Sequence, residues 1–353
     1  MRFLMFAPAL LGMAILFGIA ALILLGLLGV TAWARAARWN RIALRRLAAG
    51  SRIARTPRAD IEYVRIGEGP AVLILHGING GYDQGVAAAE LLGIAGYEYL
   101  PISRPGYLRT PLAAGKTPEQ QADAFADLLD ALRIETAAVI GISAGGLPAL
   151  QFALRHPERC RAVILISGVT HRLSLPREAM LVPRFRAIVR SDLASWFMAY
   201  LFGAHPGLIL RHALSRDERR ALKNSDAADG VSKLIATSVP MRARWDGMIN
   251  DGAAFPTIET YPLEKIRVPT LILHGTSDDV VPFAHAEFAA RRIPSARLVP
   301  LPSGSHFAAF LDHDRISRMI GEFLEAHHAD SRAAKFSPES YPRYSDQEGL
   351  ASE

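Results

Sequence analysis

The sequence of 353 residues has one cysteine, which limits the redox and metal chemistry open to it. Cys160 alone excludes an intramolecular disulfide and leaves too few thiolates for a cysteine-based metal site. Charged residues make up only 21% of the chain against 50% hydrophobic residues, which excludes a wholly disordered protein. The length allows one large domain or two smaller ones.

Acidic side chains are absent from residues 1–59, which carry nine arginines. The whole chain has a net charge of +6, so subtracting these nine charges leaves −3 for the rest. A surface that binds nucleic acid would need the positive excess on the globular part. The distribution of charge therefore argues against a nucleic-acid partner.

Residues 3–34 contain no charged side chain and no histidine. A membrane-spanning helix needs roughly 20 such residues, whereas the apolar core of a signal peptide has only about 7–15. We therefore predict a transmembrane anchor over residues 1–34. A cleaved secretory signal is the alternative, because residues 32–34 offer a small-x-small cleavage site.

A basic segment, residues 35–60, follows the apolar stretch and holds eight arginines against Arg2 before it. The positive-inside rule then predicts a single-pass protein with its C-terminal part in the cytoplasm. On a helical wheel one arc is shared by Arg35, Arg38, Arg41, Arg45 and Arg46. The segment either lies on anionic lipid headgroups or forms a solvated stem, and the sequence leaves both open.

From residue 61 onward short apolar strands alternate with helices. Strands are predicted at residues 61–66, 71–75, 97–102, 137–140, 162–166, 270–273 and 296–301. Helices are predicted at residues 118–132, 147–155, 282–291 and 314–327. This alternation is typical of a parallel sheet with helices on both faces.

Residues 171–263 interrupt the alternation with a mainly helical stretch that is rich in aromatic residues such as Trp196. We predict that they form a cap inserted between two parts of one core, residues 61–170 and 264–328. The tail at residues 329–353 has no periodicity and is predicted to be disordered.

The sharpest motif is residues 141–146, a Gly-x-Ser-x-Gly pattern with Ser143 at its centre. It follows one predicted strand and opens one predicted helix. Gly141 and Gly145 provide the room that a tight strand-to-helix turn requires. Such a turn lifts the hydroxyl above the sheet, so Ser143 is the candidate nucleophile. A plain packing turn is the alternative.

A serine hydroxyl needs a base, and the expected chain order for this arrangement is serine, acid, histidine. Two carboxylates follow the strand at residues 270–273, Asp278 and Asp279. Asp278 stands four residues before Pro282, at which the next helix begins, and is the preferred acid. Asp279 is expected to be solvated or to cap that helix.

His306 is the candidate base, because a glycine-containing loop precedes it and a helix follows it. Other histidines are expected on the surface (His313, His327 and His328) or as structural groups at strand ends (His76 and His274).

Acyl transfer also needs donors for the developing oxyanion. The backbone N–H of Ala144, directly after the nucleophile, is one candidate. The second is expected from the loop after the strand at residues 71–75, with the N–H of Ile78 preferred over that of Asn79. No Gly-Lys-Ser/Thr follows these glycines, so a phosphate-binding loop is excluded. We predict neither a cofactor nor a metal.

Together these motifs resemble the α/β-hydrolase superfamily of esterases, lipases and C–C hydrolases, over residues 61–327. The resemblance implies a predominantly parallel eight-stranded sheet with a helical cap, and Ser143, Asp278 and His306 as a catalytic triad. A serine nucleophile separates the chain from the dehalogenase and epoxide-hydrolase branches, which use aspartate. The loop at residues 103–107 departs from the Asp-x-Arg-Gly-x-Gly of many relatives.

The sequence therefore predicts a membrane-anchored serine hydrolase that cleaves a carboxylic ester or related acyl bond of a small, apolar substrate. Cleavage of a C–C, lactone or thioester bond, or acyl transfer to an alcohol, would use the same triad. The non-enzyme alternative is a hydrolase-fold binding module. Such modules usually lose a triad member, and here all three candidates are present.

Overall fold

The computed structural model describes residues 7–173, 183–221 and 226–327, and its centre is a single sheet of eight strands. The strands are β1 (Arg52–Ala54), β2 (Ile61–Tyr63), β3 (Ala71–Leu75), β4 (Glu98–Ile102), β5 (Ala137–Ile142), β6 (Cys160–Ile166), β7 (Thr270–Gly275) and β8 (Ala296–Leu301). Their order is β1-β2-β4-β3-β5-β6-β7-β8. Only the β1–β2 and β2–β4 pairs are antiparallel. The predicted eight-stranded, predominantly parallel sheet is confirmed.

Helices of the described residues cover the sheet and extend beyond it. They are α1 (Ala7–Ala49), α2 (Tyr82–Leu92), α3 (Pro118–Ala131), α4 (Gly146–Arg155), α5 (Pro183–Val189), α6 (Asp192–Ala204), α7 (Pro206–Ala213), α8 (Arg216–Ala221), α9 (Asp226–Ala236), α10 (Trp245–Ala254), α11 (Ala284–Arg292), α12 (Ala308–Leu311) and α13 (His313–Ala326).

The central strands are buried on both faces because successive side chains point to opposite sides of the sheet. On one face, Leu73 and Leu75 of β3 belong to a core shared with α3, α4 and α11. On the other face, Val72 and Ile74 belong to a core shared with α2, α9 and α13. This two-sided burial explains why the strands read as continuous apolar runs.

Helices α5 to α10 lie between β6 and β7 in the sequence, in the region predicted to be an inserted cap. The cap is joined to the core by buried ion pairs. Arg244 pairs with Asp83 of α2, and Asp251 of α10 pairs with Arg104 in the loop after β4.

Helix α1 does not end at the boundary between the predicted anchor and the basic segment. It continues through residue 49, so most of that segment is helix. Ala36 and Asn40 of α1 are buried, and Asn40 Nδ2 donates to the backbone oxygen of Asp192 in α6 at 3.0 Å. The segment therefore packs on the cap along one side, a contact that neither of the alternatives from the sequence included.

The end of α1 is also bound to the core. The Tyr82 hydroxyl donates to the Leu47 carbonyl oxygen at 2.8 Å, and the Ser51 hydroxyl donates to Glu62 at 2.6 Å. Strand β1 follows immediately and lies within residues 35–60, so the sheet begins earlier than the predicted start at residue 61. The predicted tail at residues 329–353 lies outside the described residues.

Candidate active site

The three predicted triad residues lie beyond the carboxyl ends of neighbouring strands. Ser143 follows β5, Asp278 follows β7 and His306 follows β8. Strands β5 to β8 are adjacent and parallel, so their carboxyl ends meet at one edge of the sheet. Ligand sites in open α/β sheets occur at this edge.

Ser143 occupies a strained turn between β5 and α4. Its φ is 51°, in the left-handed region that few non-glycine residues adopt. Gly145 makes the turn possible, because a Cβ there would lie 2.2 Å from the Leu75 backbone oxygen. The chain can therefore place the serine above the sheet only if residue 145, two positions after it, has no side chain.

Asp278 is buried and accepts hydrogen bonds at both carboxylate oxygens. Oδ1 accepts from the backbone N–H groups of Val280 and Val281, each at 2.9 Å. Oδ2 is 2.8 Å from His306 Nδ1 and 3.2 Å from His274 Nε2. Because Nδ1–H of His306 is directed at Asp278, Nε2 is the ring nitrogen left to act as a base.

Burial alone would raise the pKa of Asp278, but the hydrogen bonds from His274 and His306 outweigh it and hold the pKa below its ordinary value. The carboxylate is therefore ionised at neutral pH and can stabilise a positively charged His306. Asp279, the alternative acid, is exposed. The structure thus brings Asp278 rather than Asp279 to His306.

The loop that carries His306 is held from three sides. The Ser167 hydroxyl donates to the His306 backbone oxygen at 2.9 Å, and the Ser277 N–H donates to the Gly304 oxygen at 2.9 Å. From the cap, Glu218 of α8 accepts from the Ser305 N–H at 2.8 Å. Within the described residues no hydrogen bond joins the Ser143 hydroxyl to His306, a contact that often tightens only when substrate binds.

The loop after β3 lies directly against the serine turn. A Cβ on Gly77 would be 3.2 Å from the Ser143 Cβ, and Ile78 is the next residue of this loop. The buried Tyr107 hydroxyl has a raised pKa, chiefly from burial, and the backbone amide of Asn79 opposes that shift. The preference for the Ile78 N–H over the Asn79 N–H stays a prediction of the sequence.

Arg104 lies in residues 103–107, the loop whose sequence departs from the Asp-x-Arg-Gly-x-Gly of many relatives. Its guanidinium is fully buried, donates from Nε to the His76 backbone oxygen at 2.9 Å, and pairs with Asp251 of the cap at 2.5 Å. Tyr107 also donates to Asp251, at 2.6 Å. Arg104 therefore ties the loop after β3 to α10.

His76 supports the same loop as a neutral group. Burial, reinforced by the charge of Arg104, holds the pKa of His76 well below its ordinary value. Its Nε2 accepts from the Arg104 backbone N–H at 3.0 Å, so Nδ1–H donates to the Gly77 oxygen at 2.6 Å. This is the structural role that the sequence predicted for it.

An apolar cluster of the cap borders the loop after β3. It consists of Val189, Trp245 and Met248, and Ile78 packs against it. The sequence indicated Trp196 as a cap aromatic but not Trp245. The sequence analysis also missed two contacts of the site, that of Glu218 with the histidine loop and that of His274 with Asp278. No local pattern near Glu218 or His274 indicates these contacts.

Known proteins support the same architecture. A family model described as alpha/beta hydrolase fold matches residues 70–313. The pimeloyl-(acyl-carrier protein) methyl ester esterase of Aeromonas hydrophila is 29% identical over 72% of this chain and 94% of its own length. The 2-hydroxy-6-oxo-6-phenylhexa-2,4-dienoate hydrolase of Burkholderia cepacia is 28% identical over 73% of this chain and 88% of its own length.

A solved structure has the same fold. The alpha/beta hydrolase fold protein from Nakamurella multipartita superimposes with a TM-score of 0.69 at 31% identity, covering 79% of this chain and 100% of that chain. The matched family model spans strands β3 to β8, the serine turn and the histidine loop described above. The chain therefore belongs to the α/β-hydrolase family, and its homologues are hydrolases.

Proposed function

We propose that this protein is a membrane-anchored serine hydrolase that cleaves a carboxylic ester through an acyl-enzyme. The observation that carries the proposal is the buried Asp278–His306 pair, 2.8 Å apart, at the sheet edge where Ser143 occupies its strained turn. An acid that is held ionised orients the imidazole, and the imidazole activates the serine.

In the proposed reaction, His306 Nε2 takes the proton of Ser143 Oγ as this oxygen attacks the substrate carbonyl. The N–H groups of Ala144 and Ile78 stabilise the oxyanion of the tetrahedral intermediate. The intermediate collapses as His306 returns the proton to the leaving alcohol. Water, deprotonated by His306, then attacks the acyl-enzyme and releases the acid and Ser143. Asp278 stays ionised throughout.

The substrate class is proposed from the surroundings of the serine. The cluster of Val189, Trp245 and Met248 offers an apolar surface beside Ile78, which suits a small acyl or alkyl group. The esterase name of the Aeromonas hydrophila relative favours an ester. A dienoate, as in the name of the Burkholderia cepacia relative, is the second candidate. Lactone, thioester and acyl-transfer substrates use the same groups.

The membrane location rests on α1. Its most apolar window has a mean hydropathy of 2.6 and is wholly exposed, so the helix is long and apolar enough to cross a bilayer. The eight arginines that follow residue 34 favour a cytoplasmic position for the catalytic domain. Membrane lipid is thus the proposed partner of α1.

We expect Ser143→Ala to reduce ester hydrolysis by about three orders of magnitude or more, because no other nucleophile is activated in the same way. The variant should also lose labelling by a fluorophosphonate probe and keep the melting temperature of the wild type. Hydrolysis at wild-type rates by the folded variant would remove Ser143 from the mechanism.

We expect Asp278→Asn to lower kcat by up to about 10⁴, because an amide favours the wrong tautomer of His306. Asp279→Asn is the matched control, since it makes the same change at the exposed neighbour. It should leave kcat within a few-fold of the wild type. Equal losses in the two variants would contradict the assignment of the acid.

We expect Glu218→Ala to lower kcat on a small soluble ester by about tenfold, a loss that corresponds to roughly 1.4 kcal/mol of barrier. The Ser305 N–H would lose its acceptor, and the loop that carries His306 would be held less well. Glu218→Gln keeps an acceptor oxygen and should restore most of the activity. Asp217→Ala, an exposed change in the same helix, should have no effect. A loss in Glu218→Ala that Gln does not rescue would contradict this positioning role.

We expect an alkaline phosphatase fused to the C-terminus of the full chain to be inactive in a Gram-negative host, because the enzyme matures only in the periplasm. Holding the arginines inside gains about 1 kcal/mol each near anionic lipid. A cytoplasmic reporter at the same position should be active. A phosphatase-positive fusion would reverse the proposed orientation.

A further inference from the structure

Helix α1 connects the apolar stretch to the cap without a break. Side chains from residue 15 to residue 31 are exposed, whereas Ala36 and Asn40 are buried. Asn40 is bound to the first residue of α6, Asp192, which Arg242 of the cap also approaches at 3.9 Å. The cap thus holds α1 within a few turns of its apolar part.

This attachment fixes the depth of the cap relative to a bilayer. Arg35 is the first charged residue after the apolar stretch, and Asn40 follows five residues later. At 1.5 Å per residue, that is a rise of about 7.5 Å along the helix. The headgroup layer on each side of a bilayer is about 5–8 Å thick. If α1 spans the membrane, its contact with α6 lies at the depth of the headgroups.

A second attachment follows the first. Beyond Asn40 the helix is bound to the core through Leu47, and Ser51, two residues after the end of the helix, is bound to Glu62. A helix held at the cap and at the core cannot act as a loose tether. The orientation of α1 therefore determines which surface of the cap meets the bilayer.

Helix α6 presents an apolar face to solvent. Leu193, Phe197 and Tyr200 lie four and three residues apart, on one side of the helix, and are 42%, 53% and 44% exposed. On the adjoining α5, Ile188 is 56% exposed. By contrast Ser195, a polar residue of α6, is fully buried. A helix whose outer face meets only water exposes its polar residues and buries its apolar ones. Helix α6 shows the opposite at these positions.

Positive charge accompanies this apolar face. Arg186 and Arg190 are exposed on either side of Ile188. Arg35, Arg38, Arg41 and Arg45 are exposed along α1, and Trp33 near the end of its apolar part is 63% exposed. Apolar and aromatic side chains combined with arginines are typical of helices that lie in the interface of an anionic membrane.

We propose that the cap face formed by Ile188, Leu193, Phe197 and Tyr200 lies in the headgroup region of the bilayer that α1 spans, and so binds an anionic lipid surface. The proposal rests on the membrane anchoring of α1 proposed above, but not on the identity of the substrate. It implies that the cap meets the membrane directly, so an apolar ester dissolved in lipid can reach the cap without crossing water.

The test uses the full chain in vesicles of phosphatidylcholine with a minority of phosphatidylglycerol. Some of the lipids are brominated on their acyl chains and quench any fluorophore that reaches the bilayer. Single cysteines carry an environment-sensitive fluorophore. Cys160 is buried and stays unlabelled. The test site is Phe197→Cys, and Leu25→Cys in α1 reports whether the anchor is inserted.

Arg291→Cys is the matched control, because it is an exposed helical site, 67% exposed, on α11 beside β8. Strand β8 is at the opposite edge of the sheet from β1, about 34 Å away at roughly 4.8 Å per strand. Labelling of Ser143 by a fluorophosphonate checks, separately, that each variant is a folded hydrolase.

We expect brominated lipid to reduce the fluorescence at residues 25 and 197 and to leave that at residue 291 unchanged. Quenching at residue 25 with none at residue 197 would overturn the proposal and leave the anchor intact. No quenching at either site would refute the anchor and the proposal together. A disulfide between two Phe197→Cys chains in a separate unlabelled sample, together with no quenching at residue 197 in the labelled one, would assign this face to a second copy and also overturn the proposal.

Discussion

The proposed chemistry of this site depends on one buried carboxylate. Asp278 is buried, and its four hydrogen-bonding neighbours are two backbone N–H groups and two imidazoles. These donors compensate for the loss of water and keep the group ionised. The ionised group in turn holds Nδ1 of His306. In the proposed mechanism the imidazole oriented in this way activates Ser143, so the acid, the base and the nucleophile would act together.

The cap is part of this arrangement rather than a cover placed upon it. Asp251 of α10 holds Arg104, and Arg104 holds the loop that is proposed to carry an oxyanion donor. Glu218 of α8 holds the histidine loop through Ser305. The cap is also bound to α1 through Asn40. The same insertion thus contacts the site on two sides and the proposed membrane helix on a third.

Patterns in consecutive residues predicted the features that depend on local geometry. The runs at β3 and β8 were placed at their observed bounds, and the glycines around Ser143 indicated its strained turn. Asp278 was preferred over Asp279 from its distance to Pro282, and the structure places Asp278 at His306. These features could be predicted because burial and turn geometry constrain the residue types at adjacent positions.

Contacts between distant segments could not be predicted from the sequence in the same way. The arginines after residue 34 suggested a stem, yet α1 continues because Ala36 and Asn40 are covered by a helix more than 150 residues away in the sequence. Glu218 and Ser305 are separated by 87 residues, and nothing near either one predicts their contact. Such contacts depend on how the cap folds back onto the core, which no single segment specifies.

The most direct test of the proposed chemistry is mass spectrometry of the protein quenched within milliseconds of mixing with an activated ester. A mass increase equal to the acyl group, located on the peptide that contains Ser143, is expected because the reaction passes through an acyl-enzyme. The increase should be absent in Ser143→Ala. An acyl group on another residue, or ester turnover with no covalent adduct under conditions that trap it in known serine hydrolases, would contradict the mechanism.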